Sequence, residues 1–578
     1  MRVLQGLGVA PGIAVGRAVC LKTRSVEVLR LPLAEGDIEA EIERFHEATR
    51  RAQEEIRRLR DKVRERLGEE LGAIFEAHSL FLDDPMFVDR IVKRIREEQV
   101  NAEWAVYRTA EEMAERFAAI DDDYLKERHE DLRDVGHQLI RALQGLPHHD
   151  LSEIEGEVVI VADELTPSYA LRLGREGAQG FAIESGGRTS HTTIIARSLN
   201  IPSVTGLAGL QDLVTDQDPL IVDGGEGRVI LHPSEVVLAE YRQRQAEQSE
   251  RETEDLATCS LPSQTRDGQA FQLMANLDLP EEIDKALQLG AAGFGLYRSE
   301  FLYIERSPAI PSEEEHLEIY SRIARAAAPH PAIIRTFDLG GKKLARELLH
   351  TQEENPVLGL RGIRVTLAQP EMFRPQLRAL LRAGIHGDLW GMIPLVSTLE
   401  EVRKFKAMMA EVATELQREG LPFRKDLKLG IMIEVPAAAM IADQLAREVD
   451  FFSIGTNDLI QYAMAVDRGN EHVAELYQPL HPGILRMLRF VSQSAAAAGI
   501  PVSVCGEMAS DPRYSAVLVG LGLRRLSMSP RSIPAIKTYL RRTSVSKLEA
   551  LVEECLRLGT AAEVAERIAH ALPLAPQP

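Results

Sequence analysis

Eight short apolar segments recur through the second half of the chain, at residues 271–277, 293–297, 332–337, 390–395, 429–434, 451–454, 502–505 and 525–528. Their length suits a buried strand better than a helix. Helix-patterned text separates neighbouring segments. Eight strands alternating with helices over about 260 residues is the arithmetic of a closed (β/α)8 barrel of TIM type. A doubly wound open sheet is the competing arrangement. The barrel is favoured because polar residues cluster directly after the apolar segments, and barrel chemistry gathers at the carboxyl ends of the strands.

The first half reads differently. Residues 1–30 carry short strand patterns around the turn Gly8-Val9-Ala10-Pro11-Gly12. Then Ile38, Ile42, Phe45, Ala48, Ala52, Ile56, Leu59, Val63 and Leu67 recur every three or four residues, with mostly Glu and Arg between them. That spacing predicts a long amphipathic helix ending near Gly68. Further helices are expected at 69–82, Pro85 to about 97, 101–119 and 124–143, and nothing in 36–144 reads as a strand. Strand text returns at 157–162, 180–183 and 220–223, punctuated by glycines and short helices to about 232. The expected organisation is a multidomain α/β chain. An α/β domain takes 1–35 and 145–232, an all-helical bundle is inserted at 36–144, a charged connecting helix lies in 233–260, and the barrel takes 261–578.

Charge and cysteine content narrow the classes of function. Sixty-eight Lys and Arg against 88 Asp and Glu leave a net charge of −20, which argues against broad binding to nucleic acid or anionic membranes. The four cysteines, Cys20, Cys259, Cys505 and Cys555, are far apart and form no CxxC, so neither a disulfide framework nor a zinc site is expected. No apolar run is long enough to span a membrane, and the N-terminal text is too interrupted for a signal-peptide core. A reducing cytoplasm is the expected compartment.

The strongest local motif is Gly186-Gly187-Arg188-Thr189-Ser190-His191-Thr192-Thr193. Two glycines allow close approach of a ligand, and the start of a following helix favours a phosphate. A neutral imidazole at that position is a competent nucleophile near pH 7 and can carry a phosphoryl group. A buried structural histidine is the alternative. It leaves the glycines and hydroxyls before His191 unexplained. A metal-ligand role is disfavoured, because no Cys, Asp, Glu or second His sits nearby at ligand spacing.

A second constellation follows the barrel segments: Arg298, Arg335, Arg361, Arg364, Glu434, Asn457, Asp458, Arg468 and Cys505. Glu434 and Asp458 follow neighbouring strands, so both can reach one hard cation such as Mg²⁺. An ordinary salt-bridge role is the alternative. The arginines offer forked donors to phosphate and carboxylate oxygens, as a small phosphorylated carboxylic acid requires. Asn457 can orient the phosphoryl group or the metal shell. Cys505 is either a proton donor near neutrality or a small buried apolar residue. The nucleophile candidate lies in the first half and the arginine constellation in the second. Two unrelated sites, or a histidine domain that swings onto the barrel, both satisfy that separation.

The segments GGRTSHTTIIARSLNIPSVTG, IEVPAA, GTNDLIQYAMAVDRGN and CGEMA closely resemble the phosphoenolpyruvate-protein phosphotransferases, Enzyme I of the bacterial sugar phosphotransferase system, among the PEP-utilising enzymes. The resemblance runs almost from end to end. It implies a swivelling phosphohistidine domain, an inserted HPr-binding bundle and a PEP-binding barrel that also dimerises. It implies Mg²⁺-dependent transfer from phosphoenolpyruvate to His191 with release of pyruvate, then transfer to a histidine of the carrier HPr. Mn²⁺ is the alternative ion. By the same resemblance Glu434 and Asp458 are metal ligands and Asp458 also meets substrate. Arg298, Arg335, Arg468 and Asn457 contact the substrate phosphate, and Cys505 protonates the enolpyruvate carbon. Carrier-docking candidates include His78, Phe81, Leu82, Asp84 and Met86.

One departure stands out: Lys342 occupies a commonly acidic position, after Gly340-Gly341 and before Lys343. Three other readings are weighed. A nitrogen-related Enzyme I paralogue would use a different carrier, and usually has an extra sensory domain ahead of the histidine domain. A PEP synthase or dikinase would need a nucleotide-binding domain, for which the chain has no room. A non-catalytic regulatory scaffold is disfavoured because His191, Glu434, Asp458 and Cys505 are all present.

Overall fold

The computed structural model describes residues 1–21, 28–67, 79, 81–82, 84–119, 123–145, 157–163, 177–184, 201–306, 310–338, 355–468, 470 and 472–572. The chain divides into two compact units, Met1–Ser249 and Glu250–Pro578. The division falls inside the helix Glu235–Ala257, the charged helix expected from the sequence. No helix among the described residues is long and apolar enough to cross a membrane.

The first unit is built on an eight-stranded mixed sheet. Its strands are β1 (Arg2–Gln5), β2 (Leu7–Ala10), β3 (Ile13–Leu21), β4 (Val158–Ala162), β5 (Ala178–Ile183), β6 (Ser203–Thr205), β7 (Pro219–Asp223) and β8 (Arg228–Leu231). They run in the order β1-β8-β7-β3-β4-β5-β6-β2. The pairs β3-β4, β4-β5 and β5-β6 are parallel, and the rest antiparallel. Strand β4 is buried on both faces. Val158 and Ile160 join one apolar cluster, Val159 and Val161 another, as strand alternation requires.

Between β3 and β4 the chain forms helices Ile38–Leu67, Pro85–Glu98, Ala102–Ala119 and Asp123–Gln144. Phe45, Ile56, Phe87, Ile91, Val106 and Leu139 fill their shared core, which continues onto one face of the sheet. Asp84 caps the second helix by accepting from the Met86 amide at 2.8 Å. Most of the expected helix at 69–82 lies outside the described residues. Two strands escaped the sequence reading, β6 and β8. The expected short helices before residue 232 do not occur among the described residues there, which are strands and turns.

The second unit is a closed barrel of eight parallel strands, which excludes the open sheet. The strands are β9 (Gln272–Leu277), β10 (Phe294–Arg298), β11 (Ala332–Arg335), β12 (Leu389–Ile393), β13 (Lys428–Ile433), β14 (Phe451–Ile454), β15 (Val502–Val504) and β16 (Arg525–Met528). Closure is made by β16 on β9, with Leu526 opposite Leu273. Alternation along the strands separates two apolar sets. Leu389, Ile393, Ile431, Ile433 and Ile454 join the large cluster under the helices. Leu296, Ile333, Trp390, Met392, Met432, Phe451 and Cys505 form a cluster of their own inside the barrel.

Candidate active site

The carboxyl ends of the strands bring five charged groups into one buried network. Asp338, just beyond β11, accepts from Arg361 Nε at 3.0 Å and from Arg361 Nη2 at 2.5 Å. Arg361 Nη2 also donates to Asp458 Oδ2 at 3.1 Å, and its Nη1 donates to the Tyr462 hydroxyl at 3.0 Å. The Tyr462 hydroxyl in turn donates to the Val357 carbonyl at 2.7 Å. Arg335, the last residue of β11, donates to Glu300 Oε1 at 3.1 Å and lies 3.6 Å from Asp338. Glu300 Oε1 also accepts from the Asp338 amide at 2.5 Å. Burial disfavours the charge on both guanidiniums, but their carboxylate neighbours outweigh it and hold them firmly protonated. Asp338 is held below the usual carboxylate range against its own burial by Arg361 and Arg335.

Glu434 follows β13 and is only 2 % exposed. Its Oε1 accepts from the Leu395 amide at 2.6 Å. Burial, with the negative charges of Asp338 and Asp458 nearby, pushes its carboxyl up to about 8, which Arg335 and Arg361 only partly oppose. A Cβ at Gly455 would stand 2.9 Å from Glu434 Oε2, so a side chain there would displace that carboxylate. Glu434 and Asp458 thus offer hard oxygen donors from adjacent strands in a site short of positive charge at Glu434. That fits Mg²⁺, which takes one or two protein carboxylates and completes its shell with water and substrate oxygens. No group of three or more His, Cys, Asp or Glu placed to hold a metal occurs among the described residues.

Cys505 follows β15, is buried, and donates weakly from Sγ to the Ile454 carbonyl at 3.6 Å. Burial pushes its thiol up, so it stays protonated at neutral pH. Asn457 makes a reciprocal pair with Glu507: its Oδ1 accepts from the Glu507 amide at 2.8 Å, and its Nδ2 donates to Glu507 Oε1 at 3.2 Å. Arg298 donates from Nη1 to both oxygens of Asp278, at 2.9 and 3.2 Å. Arg468 is half-exposed, with Nη2 3.8 Å from Asp458.

Arg364 differs from the sequence expectation. Its Nη1 donates to the Leu358 and Gly359 carbonyls, at 2.8 and 2.9 Å, so that nitrogen serves its own turn instead of a ligand. Among the carrier-docking candidates Leu82 is buried in the bundle core, while Met86 is exposed. A core position cannot meet a partner. His191 with its glycine loop, and likewise His78, Lys342 and Lys343, lie outside the described residues. The sequence reading assigned no role to Asp338, Glu300, Glu507 or Tyr462. No local pattern in the sequence distinguishes a carboxylate that will face an arginine across the barrel.

A closed parallel barrel with buried carboxylates, guanidiniums and a protonated thiol at its strand ends is the architecture of a barrel enzyme acting on a small charged substrate. Models of the PEP-utilising enzymes match along the chain: the N-terminal region at residues 5–128, the mobile domain at 154–227 and the PEP-binding domain at 252–545. Phosphoenolpyruvate-protein phosphotransferases of Bacillus sp. (strain S) and Geobacillus stearothermophilus are each 42% identical over 574 residues, covering 99% of this chain and 99% of their own. That of Bacillus subtilis (strain 168) is 39% identical over 98% of both. A solution structure of Enzyme I (nEIt) is 39% identical, spans 43% of this chain and 99% of its own, and has a TM-score of 0.38. The chain belongs to the phosphoenolpyruvate-protein phosphotransferase family of the PEP-utilising enzymes.

Proposed function

We propose that this protein transfers the phosphoryl group of phosphoenolpyruvate to its own His191, releases pyruvate, and passes the group to a histidine of the carrier HPr. This is the entry step of phosphotransferase sugar uptake. The observation that carries the reading is the buried Arg335–Asp338–Arg361–Asp458 network at the barrel mouth, in a chain related to these transferases over its whole length.

Glu434 and Asp458 would hold Mg²⁺, or Mn²⁺ in its place. The ion supplies charge neutralisation for the transferring group. Arg335, Arg298 and Arg468 bind phosphate and carboxylate oxygens of the substrate, with Asn457 orienting the phosphoryl group. Arg361 keeps Asp458 in place from behind. The imidazole of His191 attacks phosphorus as the bond to the enol oxygen breaks, leaving enolpyruvate. Cys505 then gives its thiol proton to the methylene carbon of this enolate, trapping the product as the keto acid, and the thiolate regains a proton from solvent once pyruvate leaves. The 36–144 region docks the carrier, the phosphohistidine domain moves between barrel and carrier, and the barrel pairs with a second copy.

The test uses radiolabelled phosphoenolpyruvate, the full chain, Mg²⁺ and His191→Ala, with HPr added afterwards. The expected result is an acid-labile, alkali-stable label on the parent, none on the variant, and discharge to HPr. Label that fails to discharge to HPr but discharges to another HPr-like carrier points to the nitrogen-related paralogue. No label on folded, metal-loaded parent overturns the proposal.

A further inference from the structure

Where the backbone ladder between β10 and β11 stops, side chains take over from it. The last paired residues are Arg298 and Arg335, directly opposite each other. Paired residues of a parallel ladder share a face, so these two arginines leave the sheet on one side and Ser299, the next residue of the chain, on the other. Ser299 is fully buried, and its hydroxyl donates to the Arg335 carbonyl at 2.7 Å. That bond ties the two strand ends together one residue beyond the ladder.

Gln376 stands behind this link. It lies on the helix Pro370–Ala383, in the layer outside the barrel, and is 1 % exposed. Its Nε2 donates to the Ser299 hydroxyl and to the Tyr320 hydroxyl, both at 2.8 Å, and its Oε1 accepts from the Phe337 amide at 3.1 Å. Tyr320 comes from a further helix, Glu313–Ala327. Phe373, Leu377 and Leu380, on the same helix as Gln376, are buried apolar residues. A glutamine among them adds nothing in packing that a leucine or methionine lacks, and only its hydrogen bonds offset its burial. One amide hydrogen goes to the segment after β10, and the amide oxygen to the segment after β11. A single side chain thus fixes the spacing of Ser299 and Phe337, and with them their neighbours Arg298, Glu300 and Asp338. Glu300 makes the matching clasp, accepting from Arg335 and from the Asp338 amide.

We propose that Gln376 is a positioning residue for the phosphoryl-transfer step: through Ser299 and the Phe337 amide it sets the separation of Arg298 and Arg335. The inference rests on the phosphoenolpyruvate reading above. Two guanidiniums that grip one phosphoryl group must converge on it, and a misplacement of about 1 Å costs up to about 10²-fold in rate. Gln376 itself, buried behind the strand ends, touches neither substrate nor reacting atoms.

The test compares the full-length parent with Gln376→Met, Gln376→Glu and Ser299→Ala, using radiolabelled phosphoenolpyruvate and Mg²⁺. Label bound at saturation counts the competent molecules, the single-turnover rate gives the speed of each, and thermal unfolding reports stability separately. Gln376→Met keeps the length of the side chain and makes none of its hydrogen bonds. It is expected to slow transfer per labelled site about tenfold, mainly in the saturated rate, because a displaced guanidinium still attracts the substrate's charge. Gln376→Glu keeps an acceptor for the Phe337 amide and should recover part of that loss. Ser299→Ala removes one oxygen atom and should slow transfer about threefold, the scale of one hydrogen bond. A purely structural role lowers the unfolding midpoint and the number of competent molecules but leaves the rate per labelled site within about twofold of the parent. That result, or equal losses in Gln376→Glu and Gln376→Met, overturns the proposal. A parent that takes no label defeats the phosphoenolpyruvate reading itself, whereas an active parent with unslowed variants defeats this inference alone. Should Gln376→Met fail to fold, the rate per labelled site of Ser299→Ala decides by the same criterion.

Discussion

Asp338 accepts both forks of Arg361, at 3.0 and 2.5 Å, while Arg335 Nη1 stands 3.6 Å from the same Oδ2 that meets Arg361 Nη2. One carboxylate therefore sets the position of two guanidiniums at the barrel mouth. Removing one partner of a buried pair leaves the others uncompensated, at a cost of about 3–5 kcal/mol. Asp338→Asn is expected to lower kcat/KM for phosphoenolpyruvate about 100-fold, or about 2.7 kcal/mol of transition-state stabilisation. Steady-state kinetics check this. A rate within twofold of the parent would show that Asp338 has no share in placing the arginines.

Cys505 is predicted to separate binding from turnover. Cys505→Ala removes the proton donor and leaves the phosphate clamp intact. Pyruvate release should fall by about 10²–10⁴-fold, the usual worth of a positioned acid, with little change in KM. A coupled pyruvate assay reads this directly. An unchanged rate would remove Cys505 from the chemistry and return it to a packing role.

Metal dependence should depend on Glu434 and the glycine beside it. Chelation is expected to abolish label transfer, and added Mg²⁺ to restore it. Glu434→Gln removes a donor charge, so half-saturation by Mg²⁺ should rise at least about tenfold, the scale on which metal-site changes act. Gly455→Ala places a methyl group 2.9 Å from Glu434 Oε2 and should raise it in the same direction. Titration of activity with Mg²⁺ compares the three proteins. Superimposable curves would argue against Glu434 as a ligand.

His316 predicts a loss of stability in mild acid. It is buried between Tyr303 and Tyr320, at ring distances of 5.5 and 5.4 Å, with neither ring nitrogen hydrogen-bonded among the described residues. Burial lowers its pKa from 6.5 to about 4. The unfolded chain takes up a proton near pH 6.5 and the folded chain does not. The stabilisation is full above pH 6.5 and declines as pH falls towards 4, by about 3 kcal/mol in all. His316→Phe should flatten this part of the pH profile. Denaturant unfolding of parent and variant at pH 7 and pH 5 measures it, and parallel losses in both would refute the assignment.

Much of the barrel was legible because its signals are local. All eight expected segments overlap strands β9 to β16, and the helix expected to end near Gly68 is Ile38–Leu67. Apolar spacing reports which face of an element is buried, and that face survives whatever it packs against. β6, with three residues, and β8, with four, were not expected, whereas β15 and β16, equally short, were marked by their regular alternation with helices.

The pairings at the mouth were not legible. Arg298, Arg335, Arg361, Arg364 and Arg468 are equivalent as sequence, each an arginine near the end of a strand or at a turn. In the fold they differ: Arg298 answers Asp278, Arg335 answers Glu300 and Asp338, Arg361 answers Asp338 and Asp458, and Arg364 answers backbone carbonyls. The sequence alone determined the number of barrel strands, their order along the chain, and which residue types stand at their ends, because hydrophobic periodicity and motif spacing are properties of neighbouring residues. Only the tertiary structure decided which acid each arginine faces and how deeply Glu434 and Cys505 are buried. Those outcomes depend on barrel closure, which brings together groups remote in sequence and sets the solvent exposure on which each charge depends.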